Sequence, residues 1–213
     1  GIDESIGTLI RYVEENGLAD NTTIIYMGDN GFSFGEHGLI DKRQAYEESM
    51  RVPLLVYGAG VQNPGNPVNQ NVQNIDIGPT VLDLAGVPAH PQFDGKSFLP
   101  LLQDRQPESW QDTIYYEYFW ERPFPQTPTV HAVRTQQFKY IRYHGIWDLN
   151  ELYDLQNDPL EMNNLIRDPA YKDIAAGLRS SLFEWLKSTG GEKMYLRPDG
   201  KGGRFDVGYR GTY

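Results

Sequence analysis

The sequence predicts an α/β protein whose first part is layered and whose second part is an antiparallel sheet covered by a helix. Residues 3–16 carry apolar side chains at steps of three and four, which predicts an amphipathic helix. The short β-branched run at 22–27 predicts a buried strand directly after that helix. Beyond residue 105 the chain changes to short aromatic and β-branched runs separated by turn residues, which is typical of antiparallel strands.

The first part contains four predicted elements in the order helix, strand, strand, helix. Gly17 ends the first helix, and a helix that leads into a buried strand is typical of a parallel αβ layer. The first strand lacks neighbours for such a layer, so we expect the rest of the sheet to lie outside this chain. A second apolar strand is predicted at 52–57, followed by a Gly-, Asn- and Pro-rich surface loop at 58–74. Asp76 is expected to cap a helix that Gly86 closes.

The second part contains a predicted sheet and one long helix. The predicted strands are 113–120, 130–134, 138–143 and, as a fourth, 151–155. Asp168 opens a helix that Gly190 ends, and its apolar stripe is expected to cover one face of the sheet. The expected domains are 1–105, the layered part; 106–190, the sheet and helix; and 191–213, an extended tail.

The first candidate for chemistry stands at the end of the first strand. Asp29 and Asn30 follow that strand directly, and ligands of open α/β sheets bind beyond the carboxyl ends of strands. Carboxylate and amide oxygens suit Ca²⁺ or Mg²⁺ better than zinc. Asp-Asn-Gly is also a common turn, however, and these residues alone favour the turn.

Three motifs in order resemble the type I (formylglycine-dependent) sulfatase family of the alkaline-phosphatase-like superfamily. They are Asp29-Asn30-Gly31, Gly35-Glu36-His37-Gly38 and the stretch from Lys42 to Pro53. Further family-like stretches stand at 75–88, 94–102 and 151–165, so the resemblance covers roughly residues 1–187. The residues around Lys42 and the late stretch are most similar to carbohydrate sulfatases of the N-acetylglucosamine-6-sulfatase type. The resemblance implies the C-terminal part of the alkaline-phosphatase-like sulfatase fold.

The resemblance implies roles for three of these residues and leaves the role of a fourth, His37, open. Lys42 matches the family lysine that contacts the sulfate, and its charge would stabilise the leaving oxygen. Asp29 and Asn30 match two metal ligands, and Asn at position 30 favours one Ca²⁺ ion over two zinc ions. His37 either approaches the substrate or donates a proton, or it anchors its Gly-flanked loop by a backbone hydrogen bond, and the anchoring role is favoured.

The C-terminal subdomain of the family helps to frame the substrate pocket, which makes Trp120, His131 and Arg134 candidate substrate contacts. A sugar ring would stack on Trp120, and Arg134 would hold a carboxylate or hydroxyl group. Packing of the sheet is the favoured alternative for Trp120 and Arg134. His144 and Trp147 are weaker candidates of the same kind.

Two further charged positions are predicted to be structural. Glu47 and Arg51 stand four residues apart, which predicts an ion pair on one face of a helix. Arg43, next to the candidate lysine, is also expected to support the fold.

The chain lacks the residue that would carry the family's chemistry. It has no Cys, and no Ser is followed two residues later by Pro, whereas the family oxidises such a Cys or Ser to formylglycine. The resemblance therefore implies a C-terminal portion that is inactive alone. Its expected partners are a missing N-terminal half and a sulfated carbohydrate or other sulfate ester, and its expected cofactors are Ca²⁺ and formylglycine.

Composition argues against several other classes of protein. The formal net charge of −10 argues against general binding to nucleic acid or anionic membrane. The first residues lack a signal-peptide pattern, and the family resemblance favours a periplasmic or secreted enzyme. Two alternatives stay open. One is a phosphonate or phosphate monoesterase of the same superfamily, because these esters share the tetrahedral shape of sulfate. The other is a catalytically inactive binding module.

Overall fold

The computed structural model describes residues 1–105, 107, 109–121, 123–144 and 149–191. The chain divides into two compact units that are not continuous in sequence. The first unit consists of Gly1–Gly31 and Arg51–Asp112, and the second combines Phe32–Met50 with the described residues from Thr113 onward. The expected tail at 191–213 lies outside the described residues beyond Gly191.

The first unit contains three helices and one pair of strands among its described residues. They are α1 (Ile2–Glu15), β1 (Thr23–Met27), β4 (Leu54–Gly58), α3 (Ile77–Leu84) and α4 (Leu99–Leu102), with short 3₁₀ turns at Ala19–Asn21 and Asn74–Asp76. Three elements lie between β1 and β4 in the chain but belong to the second unit: β2 (Ser33–Phe34), β3 (Ile40–Asp41) and α2 (Glu47–Met50).

The strand β1 pairs antiparallel with β4, Thr23 lying opposite Gly58 and Met27 opposite Leu54. The expectation that β1 has no partner in this chain is therefore wrong, and within the described residues its pairing is not parallel. The apolar run predicts a strand but does not encode its direction of pairing. Every residue of β1 is half-buried rather than buried.

The two helices predicted in this unit form close to their expected bounds. Gly17 follows α1 with a φ of 65°, the left-handed conformation that Gly adopts at low cost. Asp76 stands at the N-cap of α3, but its carboxylate accepts the backbone N–H groups of Gln73 and Lys96, each at 2.8 Å. Asp76 therefore fastens the chain segment around Lys96 to the start of the helix, rather than capping α3 itself.

The second unit is a four-stranded antiparallel sheet with one long helix and a short hairpin. Its elements are β2 (Ser33–Phe34), β3 (Ile40–Asp41), α2 (Glu47–Met50), β5 (Ile114–Tyr118), β6 (Val130–Arg134), β7 (Phe138–Tyr143), β8 (Glu151–Asp154) and α5 (Lys172–Thr189), with 3₁₀ turns at Glu36–Gly38 and Pro169–Tyr171. The strands lie in the order β5-β6-β7-β8, and each pairs antiparallel with the next. The predicted sheet, including its fourth strand, is confirmed.

Both faces of this sheet are covered. On one face, Val133 and Tyr140 pack with Leu182 and Leu186 of α5, and burial of such leucines stabilises by about 2 kcal/mol each. On the other face, the sheet residues Val130, Ala132, Ile141, Tyr153 and Leu155 pack with Ala45 and Tyr46. The predicted cover by the helix is confirmed, and the segment just after Lys42 covers the opposite face.

Within the part of the chain that the structure describes, no helix combines the length and the apolar character needed to cross a bilayer.

Candidate functional site

The candidate metal ligands Asp29 and Asn30 lie at the C-terminal end of β1, where both residues are exposed. The Oδ1 atom of Asp29 accepts the backbone N–H of Asn30 at 2.9 Å, and the side-chain amide of Asn30 donates to the carbonyl of Gly31 at 2.7 Å. Local bonds of this kind fix the turn after the strand. Both residues thus present oxygen donors at a solvent-exposed strand end.

His37 lies against the side chains of Tyr46 and Glu48. It occupies the left-handed region with φ of 54° and ψ of 18°, inside the turn Glu36–Gly38. Its ring stacks on Tyr46 with centroids 3.8 Å apart and planes at 7°, and its Nε2 lies 3.4 Å from Oε2 of Glu48. Only 10% of the side chain is exposed. The loop-anchoring role remains a prediction, but the contacts that would serve it are a ring stack and a carboxylate.

Tyr46, under the His37 ring, is itself fixed by the sheet. Its hydroxyl lies 2.9 and 3.1 Å from the two oxygens of Glu151, and Tyr153 donates to the same carboxylate at 3.1 Å. Burial raises the pKa of Tyr46 and of Tyr153, so both phenols stay protonated at neutral pH and act as donors. The ring of Tyr46 on which His37 stacks is therefore bonded to Glu151 of the sheet.

Lys42 follows β3 and is half-buried. Its backbone N–H donates to Oδ1 of Asp41 at 2.6 Å. The neighbouring Arg43 bonds the same oxygen at 2.7 Å through Nη1. The side-chain hydroxyl of Thr127 lies 3.2 Å from the other oxygen of Asp41. The backbone that carries the candidate lysine is thus fixed to the sheet subdomain.

A buried charge network lies directly after this segment. Glu47 bonds Arg134 at 3.0 and 3.3 Å, and its Oε1 lies 2.8 Å from Nζ of Lys139. Nζ of Lys139 also lies 2.7 Å from Oε1 of Glu161, whose Oε2 accepts the backbone N–H of Glu47 at 2.7 Å. Lys139 is 0% exposed and Glu161 is 1% exposed. Four charged side chains are therefore largely shielded from water and paired with one another: Glu47, Arg134, Lys139 and Glu161.

The pKa values of the two carboxyl groups in this network are shifted in opposite directions. Burial alone would raise the pKa of Glu47, but the Lys139 and Arg134 cations outweigh it and lower that pKa to about 2. Burial raises the pKa of Glu161 above its ordinary value, against the opposing effect of Lys139. Glu47 is therefore a carboxylate at neutral pH, and its negative charge is paired with Lys139 and Arg134.

The expected pairing of Glu47 with Arg51 is wrong. Helix α2 ends at Met50, so that Arg51 lies beyond it, and Glu47 bonds the strand residues Arg134 and Lys139 instead. The four-residue spacing predicted a local pair, but the buried cations of the neighbouring strands offer a stronger one because they are shielded from water. Arg134, a candidate substrate contact, is engaged in this structure by a carboxylate.

The other candidate substrate contacts differ in exposure. Trp120 follows β5 with 47% of its surface exposed, and its indole N–H lies 3.3 Å from the carbonyl of Pro125. His131 on β6 is only 1% exposed, and its Nδ1 lies 2.7 Å from Nε2 of His144. Burial and His144 lower the pKa of His131 to about 4, so its imidazole is neutral at pH 7. The prediction for Trp147 lies outside the described residues.

One group of side chains has the composition of a metal site. Within the described residues, His37, Glu48 and Glu161 bring one nitrogen and two carboxylate oxygens within 4.8 Å of one another. The group does not include Asp29 or Asn30. Lys139 already neutralises Glu161 there, which weakens the attraction for a further cation.

Sequence reasoning missed Lys139 and Glu161. Lys139 stands in an alternating strand, where a lysine is usually a solvent-facing residue. Glu161 follows a Pro-containing turn and is flanked by exposed apolar residues. The one available signal was the late family-like stretch at 151–165, which contains Glu161.

Comparison with known proteins gives consistent matches over most of the chain. The model of the family described as N-sulphoglucosamine sulphohydrolase, C-terminal, matches residues 35–188. An N-acetylglucosamine-6-O-sulfatase of Bacteroides thetaiotaomicron is 37% identical over 201 residues, covering 93% of this chain and 35% of the relative. The chain therefore spans about a third of the length of the curated relatives that it matches.

Solved structures give the same picture. A protein in complex with its substrate D-glucosamine-2-N,6-O-disulfate is 36% identical, with a TM-score of 0.82 over 92% of this chain and 40% of that chain. A phosphonate monoester hydrolase of Agrobacterium radiobacter is 26% identical, with a TM-score of 0.71 over 88% of this chain and 39% of that chain.

Proposed function

The chain belongs to the sulfatase family, and on that basis we propose that it is the C-terminal portion of an enzyme that hydrolyses carbohydrate sulfate esters. The proposed substrate class is a 6-O-sulfated glucosamine or N-acetylglucosamine. The observation that carries this proposal is the 36% identity and TM-score of 0.82 to a protein bound to a glucosamine disulfate. The 37% identical N-acetylglucosamine-6-O-sulfatase supports the same class.

Lys42 is the proposed sulfate-binding residue of this chain. Its ammonium would neutralise sulfate oxygens and the negative charge that develops on the leaving oxygen as the S–O bond breaks. The fixed backbone around it supports this role, because Asp41 accepts the Lys42 N–H and joins the segment to the sheet. A lysine whose backbone is fixed before the reaction needs less reorganisation to place its charge.

Asp29 and Asn30 are the proposed Ca²⁺ ligands. The fit is chemical, because a carboxylate and an amide oxygen at an exposed strand end are ligands that Ca²⁺ prefers. Two residues fall short of the six to eight oxygens that Ca²⁺ takes, so they would form one side of the site. When bound, the ion would supply positive charge for the sulfate.

Formylglycine has no fitting residue in this chain. The sequence contains no Cys and no Ser with Pro two residues later, so we assign no nucleophilic step to these residues. We propose that the nucleophile comes from a portion of the enzyme outside the matched third. His37 contributes by holding the loop before Lys42, through its stack on Tyr46.

Trp120 is the proposed contact for the sugar ring. Its exposed indole offers an apolar face, and its bonds to Thr129 and Pro125 limit its movement, which reduces the entropy lost on binding. His131 and Arg134 would support the sheet rather than contact the sugar, since one is buried and neutral and the other is bonded to Glu47.

A phosphonate monoesterase is the second candidate function. The solved phosphonate monoester hydrolase shares the fold at a TM-score of 0.71, and the tetrahedral substrates of the two enzyme classes have similar shapes. The higher identity to the glucosamine disulfate-binding protein favours the sulfatase.

A chimera tests the proposed function. This chain would replace the matching 35% of the Bacteroides N-acetylglucosamine-6-O-sulfatase, which supplies the rest of that enzyme. We expect the folded chimera to release sulfate from N-acetylglucosamine-6-sulfate faster than it hydrolyses 4-nitrophenyl phenylphosphonate. Faster phosphonate hydrolysis would favour the second candidate, and a folded chimera without activity on either ester would favour a binding module.

A further inference from the structure

Asp41 joins the Lys42 segment to the chain between Trp120 and β6. Its Oδ1 atom accepts a hydrogen bond from Nη1 of Arg43 at 2.7 Å, and its Oδ2 atom accepts one from the Thr127 hydroxyl at 3.2 Å. The side chains of Asp41 and Arg43 are mostly buried, and Thr127 is buried completely. A charged bond that is shielded from water in this way is stronger than one at the surface.

Arg43 makes a second contact with the same part of the chain. Its guanidinium lies 3.3 Å from the centroid of the Phe124 ring, within the range of a cation–π interaction. The planar group can stack on the ring and bond Asp41 at the same time, which a lysine cannot do. Residues 123–129, here called the loop segment, are therefore held by Arg43 and Asp41 at two points.

The loop segment in turn holds Trp120. The backbone N–H of Trp120 donates to the Thr129 hydroxyl at 2.9 Å, and the indole N–H donates to the Pro125 carbonyl at 3.3 Å. The contacts thus form a continuous chain from the segment of Lys42, through Asp41 and Arg43, to the loop segment and Trp120.

We propose that Arg43 and Asp41 are positioning residues that set sugar specificity by fixing the Trp120 indole relative to the segment of Lys42. This inference rests on the proposed function, in which Lys42 binds the sulfate and Trp120 the sugar. A sugar sulfate must satisfy both contacts at once, so the distance between them selects the ring and the position of its ester. A small aryl sulfate does not need the sugar contact.

The first test observes Trp120 directly in the 213-residue chain. The indole N–H resonance of Trp120 is assigned by its loss in Trp120→Phe. We expect Arg43→Lys and Thr127→Val to shift this resonance and to speed its hydrogen exchange at least tenfold, while the Trp185 indole is unchanged. Thr127→Ser keeps the hydroxyl and should restore the wild-type signal, and the exposed loop residue Gln126 provides the control Gln126→Ala.

The second test measures specificity in the chimera. The readout is the ratio of kcat/KM for N-acetylglucosamine-6-sulfate to kcat/KM for 4-nitrophenyl sulfate. We expect Arg43→Lys and Thr127→Val to lower this ratio about 10-fold or more, since small displacements of a positioning contact have effects of about this size. In a Trp120→Ala background, Arg43→Lys should lower the ratio no further, because its effect passes through Trp120.

The outcomes separate this inference from the proposed function. If the chimera is inactive but the Trp120 resonance responds as expected, the proposed function is contradicted, and the specificity role with it. The result would still show that Arg43 and Thr127 affect the position of Trp120. An active chimera whose ratio is unchanged in folded Arg43→Lys and Thr127→Val would overturn the inference alone. The inference would also be overturned if Arg43→Lys still lowered the ratio of kcat/KM values in the Trp120→Ala background.

Discussion

Replacing Lys139 with Met tests whether the buried charge network stabilises the second unit. Lys139 is 0% exposed and its ammonium lies 2.8 Å from Glu47 and 2.7 Å from Glu161. Met has a similar length and no charge, so the substitution removes the cation while filling most of its space. Arg134 still bonds Glu47 in the variant, which leaves Glu161 as the carboxylate without a cation.

The expected cost follows from that uncompensated carboxylate. Removing one partner of a buried ion pair typically costs about 3–5 kcal/mol, and the remaining Arg134 bond places this case near the lower end. The cost should shrink on acidification. Loss of Lys139 raises the folded-state pKa of Glu161 further above its unfolded value, so the penalty is present at pH 7 and fades as both states become protonated.

Urea unfolding followed by tryptophan fluorescence, at pH 7 and pH 4.5, measures this free energy. The double variant Lys139→Met/Glu161→Gln should recover at least about 1 kcal/mol of the free energy of unfolding at pH 7. Gln removes the buried charge and keeps an oxygen that can accept the backbone N–H of Glu47. The matched control is Lys172→Met, an exposed lysine whose loss should change stability by less than about 0.5 kcal/mol. A Lys139→Met variant as stable as this control would refute the reasoning.

Three further predictions concern the candidate site and a buried imidazole. In the chimera, Lys42→Ala should lower kcat/KM for the sulfated sugar about 10²–10³-fold, and Lys42→Arg should not restore it; near wild-type kinetics of Lys42→Ala would remove it from the site. Asp29→Ala should raise the Ca²⁺ concentration needed for half-maximal activity after chelation, and an unchanged Ca²⁺ titration would argue against this ligand. The pKa of His131 in the folded state is about 4, below its ordinary 6.5, so folding favours the neutral imidazole. This contribution to the free energy of unfolding is fully present above pH 6.5 and is smaller by about 2 kcal/mol at pH 5. His131→Asn should remove that part of the decline in urea unfolding, and an equal decline in both proteins would contradict the shift.

The sheet subdomain was predictable because its pattern is local. The aromatic strands, their order along the chain and the apolar stripe of α5 all follow from alternation and helical spacing, and Gly190 ends α5 in the left-handed conformation expected of it. The pairing of β1 with β4 was not predictable, because an apolar run carries no information about its neighbour. Nor does any periodic pattern show that residues 32–50 belong with the later sheet.

The candidate site was predictable only where motifs resembled a family. Lys139 illustrates why the rest was missed, since alternation marks a solvent face only when one face of a sheet is open. Here α5 covers one face and the segment around Tyr46 covers the other, so Lys139 lies on a buried face with Ile141. A single strand cannot reveal how many layers will cover it.

Glu161 connects two family-like stretches that stand far apart in sequence. Its backbone has a φ of 53°, a region that costs a residue with a side chain about 1–3 kcal/mol and persists only where its surroundings hold it. The Glu47 N–H and the Lys139 ammonium provide that fixation, and both contacts use the carboxylate of Glu161. Because Glu47 begins the helix just after Lys42, the late stretch holds the segment of the candidate lysine in place. If Lys42 binds the sulfate as proposed, Glu161 would support the segment of Lys42 rather than react with the substrate.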